Sequence, residues 1–228
     1  MSATAKSMDS SIDPRDRAAH PREKHAPDDL PVDESIRRRW SPRAFADKPL
    51  NEDDLRTLLE AARWAPSSYN EQPWRFIVAR REDESEFATM LECLNEQNRK
   101  WAEDAPVLML TVAHTAFERD GRENRHAYHD LGLAMGNLVH QAMSMDVYVH
   151  QMAGIDPERA REIYDIPADC DVVAGVALGY LGDPDQLEDP GRREAETSPR
   201  SRRPLEELVF EGTWGHSADF VAAGEASS

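Results

Sequence analysis

Lysine is nearly missing from this chain. Lys6, Lys24, Lys48 and Lys100 are all it has, and the other 23 of its 27 basic residues are arginine. Even with arginine counted, positive charge is short: 44 acidic residues give a formal net charge of -17 and a pI near 4.8. That balance argues against a nucleic-acid partner, because phosphate contacts need dense cation. An acid-rich, lysine-poor surface suits a salt-rich cytoplasm where self-repulsion is screened, so a halophilic source is expected. Cysteine is equally scarce. Cys93 and Cys170 are too few and too far apart for a disulfide framework or a zinc site, so buried free thiols and no metal are expected. No apolar run reaches the ~18 residues of a membrane span, which excludes a helical membrane partner. The N-terminus lacks a charged-then-apolar leader pattern, and a cytoplasmic location is expected. What remains is 228 residues, enough for one core domain of ~180 residues with tails.

The pattern along the chain predicts alternating helices and strands. Residues 1–31 are polar, charged and proline-containing, and read as a disordered or loosely attached arm. Ser35 to Arg39 predicts a short helix, ended by Ser41-Pro42-Arg43. Arg39, Ser41 and Arg43 can grip a phosphate through planar guanidinium forks, or can be a solvated basic patch; Arg37 and Arg38 read as solvated. Asn51 predicts an N-cap with acids in the following turn, and Leu55, Leu58, Leu59 and Ala62 form one apolar face. Pro66 closes that helix. The polar loop to Gln72-Pro73 fits an ordinary helix-to-strand connection or a ligand loop, and Trp74, Phe76 and Val78 then alternate as a strand. A helix opens at Glu82 and runs on to Lys100. Pro106 to Ala113 predicts a central strand buried on both faces, and Phe117 to Asn124 a charged excursion turning at Asp120-Gly121.

His126, His129 and Asp130 lack a third metal ligand at a diagnostic spacing. They read instead as the start of a helix to about Met145, apolar almost all round and therefore buried. Val147 to Val149 predicts a strand, Asp156-Pro157 a helix start, and Val172 to Tyr180 a further buried strand. Gly175, Gly179 and Gly182 do not make a nucleotide loop, since no helix opens after them. Glu188 to Ser198 reads as mobile. Arg200, Arg202 and Arg203 form a second basic cluster, followed by an anchoring arm of Leu205, Leu208, Val209 and Phe210, and a flexible tail over 211–228.

Pro66-Ser67-Ser68-Tyr69-Asn70-Glu71-Gln72-Pro73-Trp74 resembles the signature loop of the nitroreductase family, FMN enzymes that reduce with NADH or NADPH. Arg39 to Phe45 upstream and Arg200 to Pro204 downstream match in the same order, so the resemblance covers roughly 35–210. It implies an α+β fold over 32–210, with a mixed central sheet flanked by helices, as an entwined homodimer with FMN at the interface. It implies flavin contacts at Arg39, Trp40, Ser41, Arg43, Asn98, Gln151, Met152, Ala153, Gly154, Arg200 and Arg202 of one chain. Pro66, Ser67, Ser68 and Asn70 would come from the other. Arg200 and Arg202 would return to the phosphate beside Arg39 and Arg43. Three positions depart from the family. Trp40 replaces a small or polar residue, Trp101 replaces a lysine whose role does not carry over, and Ala153 replaces a glutamate. The implied activity is hydride uptake from NAD(P)H and ping-pong reduction of a flat small-molecule acceptor such as a nitroaromatic or quinone. No catalytic side chain is required, because the flavin carries the chemistry. The alternatives are the same fold with other chemistry (dehalogenation, oxidation or flavin fragmentation) or a non-enzymatic flavin- or ligand-binding protein.

Overall fold

The computed structural model describes residues 24–27 and 29–221; the rest of the expected N-terminal arm and the last residues of the tail lie outside them. The chain divides into two compact units at Ser198/Pro199. Among the described residues, the first unit holds seven helices and four strands. These are α1 (Glu34–Arg38), α2 (Glu52–Arg63), β1 (Trp74–Arg80), α3 (Glu84–Glu92), α4 (Glu96–Ala102) and β2 (Val107–His114). They continue as α5 (Ala127–Ser144), β3 (Tyr148–Met152), α6 (Pro157–Tyr164), β4 (Cys170–Gly179) and α7 (Pro190–Thr197).

The strands form one sheet in the order β1-β2-β4-β3. All three pairings are antiparallel, so the expected mixed pairing is not made by the four strands of this sheet. The α+β architecture is as expected. The apolar run of β2 is explained by two cores, one on each sheet face. Leu108, Leu110 and Val112 join Phe87 and Met90 of α3, Trp101 of α4 and Ala160 of α6. Val107, Met109 and Ala113 face the other way, against Leu55, Leu58 and Ala62 of α2 and Leu131, Met135 and Leu138 of α5. Successive side chains of a strand point to opposite faces, so a strand covered on both sides needs no polar alternation.

Local capping sets the helix starts. Asn51 Oδ1 accepts from Asp54 N at 2.8 Å, and Asp156 Oδ1 accepts from Arg159 N at 3.0 Å with Pro157 in the first turn. Other expectations fail. The helix predicted from Glu82 to Lys100 is two helices, because Leu94 bridges Ile155 and Asn95 caps a new helix, accepting from Asn98 N at 2.8 Å. The stretch predicted to be mobile at 188–198 is α7, capped by Asp189 with Pro190 in its first turn. Likewise Arg38 is not solvated: its Nη2 lies 2.6 Å from Asp146 Oδ1, with the Arg38 side chain mostly buried.

α5 departs from its expected full burial. One face packs on the sheet and α2, while Tyr128 is 51% exposed and Leu133 37%. A Cβ added at Gly132 or Gly136 on that helix meets nothing within 4 Å.

Candidate functional site

The segment from Arg39 to Ala44 follows α1, where Pro42 prevents continuation of the helix. Arg39 Nη1 donates to Ser41 Oγ at 3.1 Å. The Arg43 guanidinium lies over the Trp101 ring, 5.9 Å from its centroid. Among the described residues no carboxylate forms an ion pair with the Arg43 side chain. Beneath this segment His150 is 9% exposed, and its Nδ1 lies 2.8 Å from Pro42 O. Burial holds the imidazole down at about 4; Arg43 and Arg39 push it the same way, against hydrogen bonds to backbone. His150 is therefore a neutral anchor, and its N–H donates to Pro42 O. Trp101 tilts over its ring at 4.5 Å.

Glu196 completes the brace, and nothing in the sequence reading singled it out. It is buried on α7, and its carboxylate accepts from Arg43 N at 3.0 Å and Ala44 N at 3.4 Å. Burial raises its pKa, while those two N–H groups, Arg43 and Lys24 act to lower it. Lys24 is itself buried, donating to Ala195 O with its ammonium over the Trp40 ring. An Asp-Pro helix start at 189–190 was the one local signal for α7; the partner of Glu196 is 153 residues away and left none.

The loop between α2 and β1 is strained. Tyr69, Asn70 and Gln72 have φ of 55°, 57° and 51°, and none is glycine. Left-handed backbone costs an ordinary residue about 1–2 kcal/mol, with Asn the most tolerant. Local bonds offset this. Gln72 N donates to Ser67 Oγ at 3.0 Å, Asn70 N to Ser67 O at 3.0 Å, and Ser68 N to Asp130 Oδ2 at 2.8 Å. Asp130 sits in the first turn of α5 and is buried, so the helix reaches into the loop through one carboxylate. The 117–124 excursion docks on the same loop. Tyr69 and Phe117 meet edge to face at 6.0 Å, and Arg119 lies over both rings. Pro66 and Asn70 are exposed, and Ser67 and Ser68 half-buried.

Asn98 and Gly154 come together. Asn98 Nδ2 donates to Gly154 O at 3.0 Å, and Asn95 N donates to the same oxygen at 3.0 Å. A Cβ on Gly154 would stand 2.6 Å from Asn98 Nδ2 and closer still to the Asn95 side chain, so any larger residue would displace both amides. Gln151 and Ala153 are exposed at the sheet's edge strand, β3. Trp40 and Met152 are buried, the first edge-on to Tyr148 at 6.1 Å, the second in the core with Trp101. Their side chains pack rather than reach a ligand; main chain is what they offer. Arg200 and Arg202 lie in the second unit. Arg200 is half-buried, and Arg202 is exposed with Nη1 donating to Ser201 O at 2.7 Å.

The donor set fits a phosphate: a hydroxyl and two guanidiniums on one braced segment, in a chain of charge -17. An amide beside a close-packed glycine and a loop of polar groups add donors and acceptors suited to a planar heterocycle.

Comparison with known proteins bears on this geometry. The model of the nitroreductase family matches residues 36–180. A solved structure described as an oxidoreductase containing FMN superposes with a TM-score of 0.78 at 36% identity, covering 85% of this chain and 97% of that one. An NADH dehydrogenase of Thermus thermophilus is 30% identical over 76% of this chain and 92% of its own length. A 15.4 kDa protein of Mycolicibacterium smegmatis is 35% identical over 62% of this chain and 98% of its own.

Proposed function

Because the chain belongs to the nitroreductase family, we propose that it works as an NAD(P)H-dependent FMN oxidoreductase reducing a flat acceptor such as a nitroaromatic or quinone. FMN, when bound, supplies the two-electron chemistry between NAD(P)H and that acceptor in ping-pong order. This chain's residues bind and orient. Arg39, Ser41 and Arg43 hold the phosphate. Asn98, with main chain at Gln151–Gly154 and at Trp40, serves the ring and ribityl side. Pro66, Ser67, Ser68 and Asn70 act from a second copy of the chain in a cytoplasmic homodimer. Exposed apolar side chains support that dimer: Tyr128 and Leu133 on α5, and Leu205 and Leu208 in the second unit.

The observation that carries the proposal is the Arg39–Ala44 segment. His150, a buried neutral imidazole, anchors the segment at Pro42 O, and Glu196 holds the main chain at Arg43 and Ala44 without an ion pair to the Arg43 side chain. Such an arrangement keeps positive potential in place for an incoming anion.

The test is optical. The purified protein should be yellow with flavin bands, and should oxidise NAD(P)H steadily when a quinone is supplied. Arg43→Glu should fold, judged by its far-UV spectrum, yet emerge without FMN. A wild type that stays colourless after dialysis against FMN refutes the flavoenzyme reading. Full occupancy in Arg43→Glu refutes the phosphate assignment alone. Flavin without NAD(P)H turnover would leave a binding protein instead.

A further inference from the structure

Away from the candidate flavin site, three side chains of metal-binding type meet at one end of the sheet. His114 ends β2 and Cys170 begins β4, and the two stand directly opposite each other in the antiparallel ladder. A register shift between Thr111 and Val112 produces this pairing: without the extra residue on β4, His114 would stand opposite Asp171 instead of Cys170. Cross-strand partners on one face have Cβ atoms about 4.5–5.5 Å apart, within reach of a shared ion. Asp169 precedes Cys170, and its carbonyl is fixed by Thr115 N at 2.8 Å and Thr115 Oγ1 at 2.9 Å. His114 Nε2 lies 3.0 Å from Asp169 Oδ2, and the ring nitrogen, the carboxylate oxygen and Cys170 Sγ all lie within 4.8 Å of one another.

We propose that His114, Asp169 and Cys170 form a binding site for a Zn2+-class divalent cation. A tetrahedral zinc with bonds of about 2.0–2.3 Å places its ligand atoms roughly 3.3–3.7 Å apart. The His–Asp pair is already near that spacing, and the thiol closes the rest by rotation about its side chain. One thiolate, one imidazole and one carboxylate select zinc over magnesium or calcium, whose ligands are all oxygen. Three protein ligands leave the fourth position to water. The nearby cations do not fill the site. Arg161 is engaged by Ile166 O at 3.0 Å and Cys170 O at 2.7 Å, and pairs with Asp171 at 3.6 Å. Arg75 is engaged by Gln72 O and Trp74 O at 2.9 Å each and by Glu118 at 3.3 Å. The ion would tie together the strand ends at the root of the 117–124 excursion, since Thr115 links Asp169 to Asn124, whose N donates to Thr115 O at 2.7 Å. This revises the expectation of no metal, which rested on the distance between the two cysteines along the chain.

The experiment is equilibrium dialysis of the full-length holoenzyme against Zn2+, followed by removal of free metal and elemental analysis. One zinc per chain should be retained. His114→Gln, Asp169→Asn and Cys170→Ala should each weaken retention by about tenfold or more. Asp169→Asn is at a largely exposed side chain, so it carries the test even where loss of the buried thiol impairs folding. With Co2+ in place of Zn2+, tetrahedral d–d bands should appear to the red of flavin absorption and vanish in Cys170→Ala. No zinc retained by the wild type, or equal retention by wild type and Asp169→Asn, overturns the site.

Discussion

At the scale of single residues, the ionisation of His150 bears on folding. Its folded value is about 4 against an ordinary 6.5, with burial the leading cause. Between those values the unfolded chain binds a proton that the folded chain refuses, so acidification favours unfolding. The stability is whole above about pH 6.5 and drains as pH falls towards 4. A separation of this size corresponds to roughly 3 kcal/mol at most. His150→Gln cannot take up the proton and can still donate to Pro42 O. Its melting temperature should therefore decline less than the wild type's between pH 7 and pH 4. Carboxylate protonation affects both proteins alike, so the difference between the two curves isolates the imidazole. Parallel curves would mean that His150 titrates normally.

At the scale of elements, the strained loop depends on α5. Asp130→Ala leaves the Ser68 N–H without its buried acceptor, a loss of about 1–3 kcal/mol. Asp130→Asn keeps an oxygen at that position and should restore most of it. Urea unfolding reads the stability, and FMN dissociation should rise in the same order, Ala above Asn above wild type. An Asp130→Ala protein as stable as wild type would show that the loop holds its left-handed backbone unaided. Elements of this kind also mark what the sequence makes legible. Asn51 before three acids and Asp156 before Pro157 announce their helices locally, and the apolar run of β2 announces burial on both faces. The break between α3 and α4 has a local sign in the Asn95 cap, but it also depends on Leu94 pairing with Ile155, a partner 61 residues on. Asp189-Pro190 did carry a helix start, hidden by acidic composition that reads as linker. Of the left-handed residues at 69, 70 and 72 only Asn70 is of a type that signals that backbone; Tyr69 and Gln72 gave no sign of it. His114 and Cys170 meet through a bulge that only the folded register reveals.

At the scale of the whole molecule, an apolar helix and a strongly negative surface pull in opposite directions. The periodicity of α5 announced burial all round, yet one chain covers only part of it and leaves Tyr128 and Leu133 in solvent. A second copy of the chain would supply the missing cover, and Gly132 and Gly136 leave room for its backbone to come close. Each copy brings a charge of -17, so association also brings Coulomb repulsion that salt removes. The screening length falls from about 10 Å at 0.1 M to about 3 Å at 1 M, shorter than most spacings between surface charges. Sedimentation should therefore show dimer tightening as potassium chloride rises from low to roughly molar concentration. Gly132→Glu separates the interface from the fold. A Cβ at this position meets nothing within 4 Å among the described residues, and glutamate favours helix over glycine, so the single chain should fold as before. It should nevertheless sediment as a monomer at every salt concentration, and on the proposal of a site shared between two chains it should lose FMN as well. A wild type that is monomeric throughout, or a Gly132→Glu protein that dimerises normally, would place the open face of α5 outside any subunit contact.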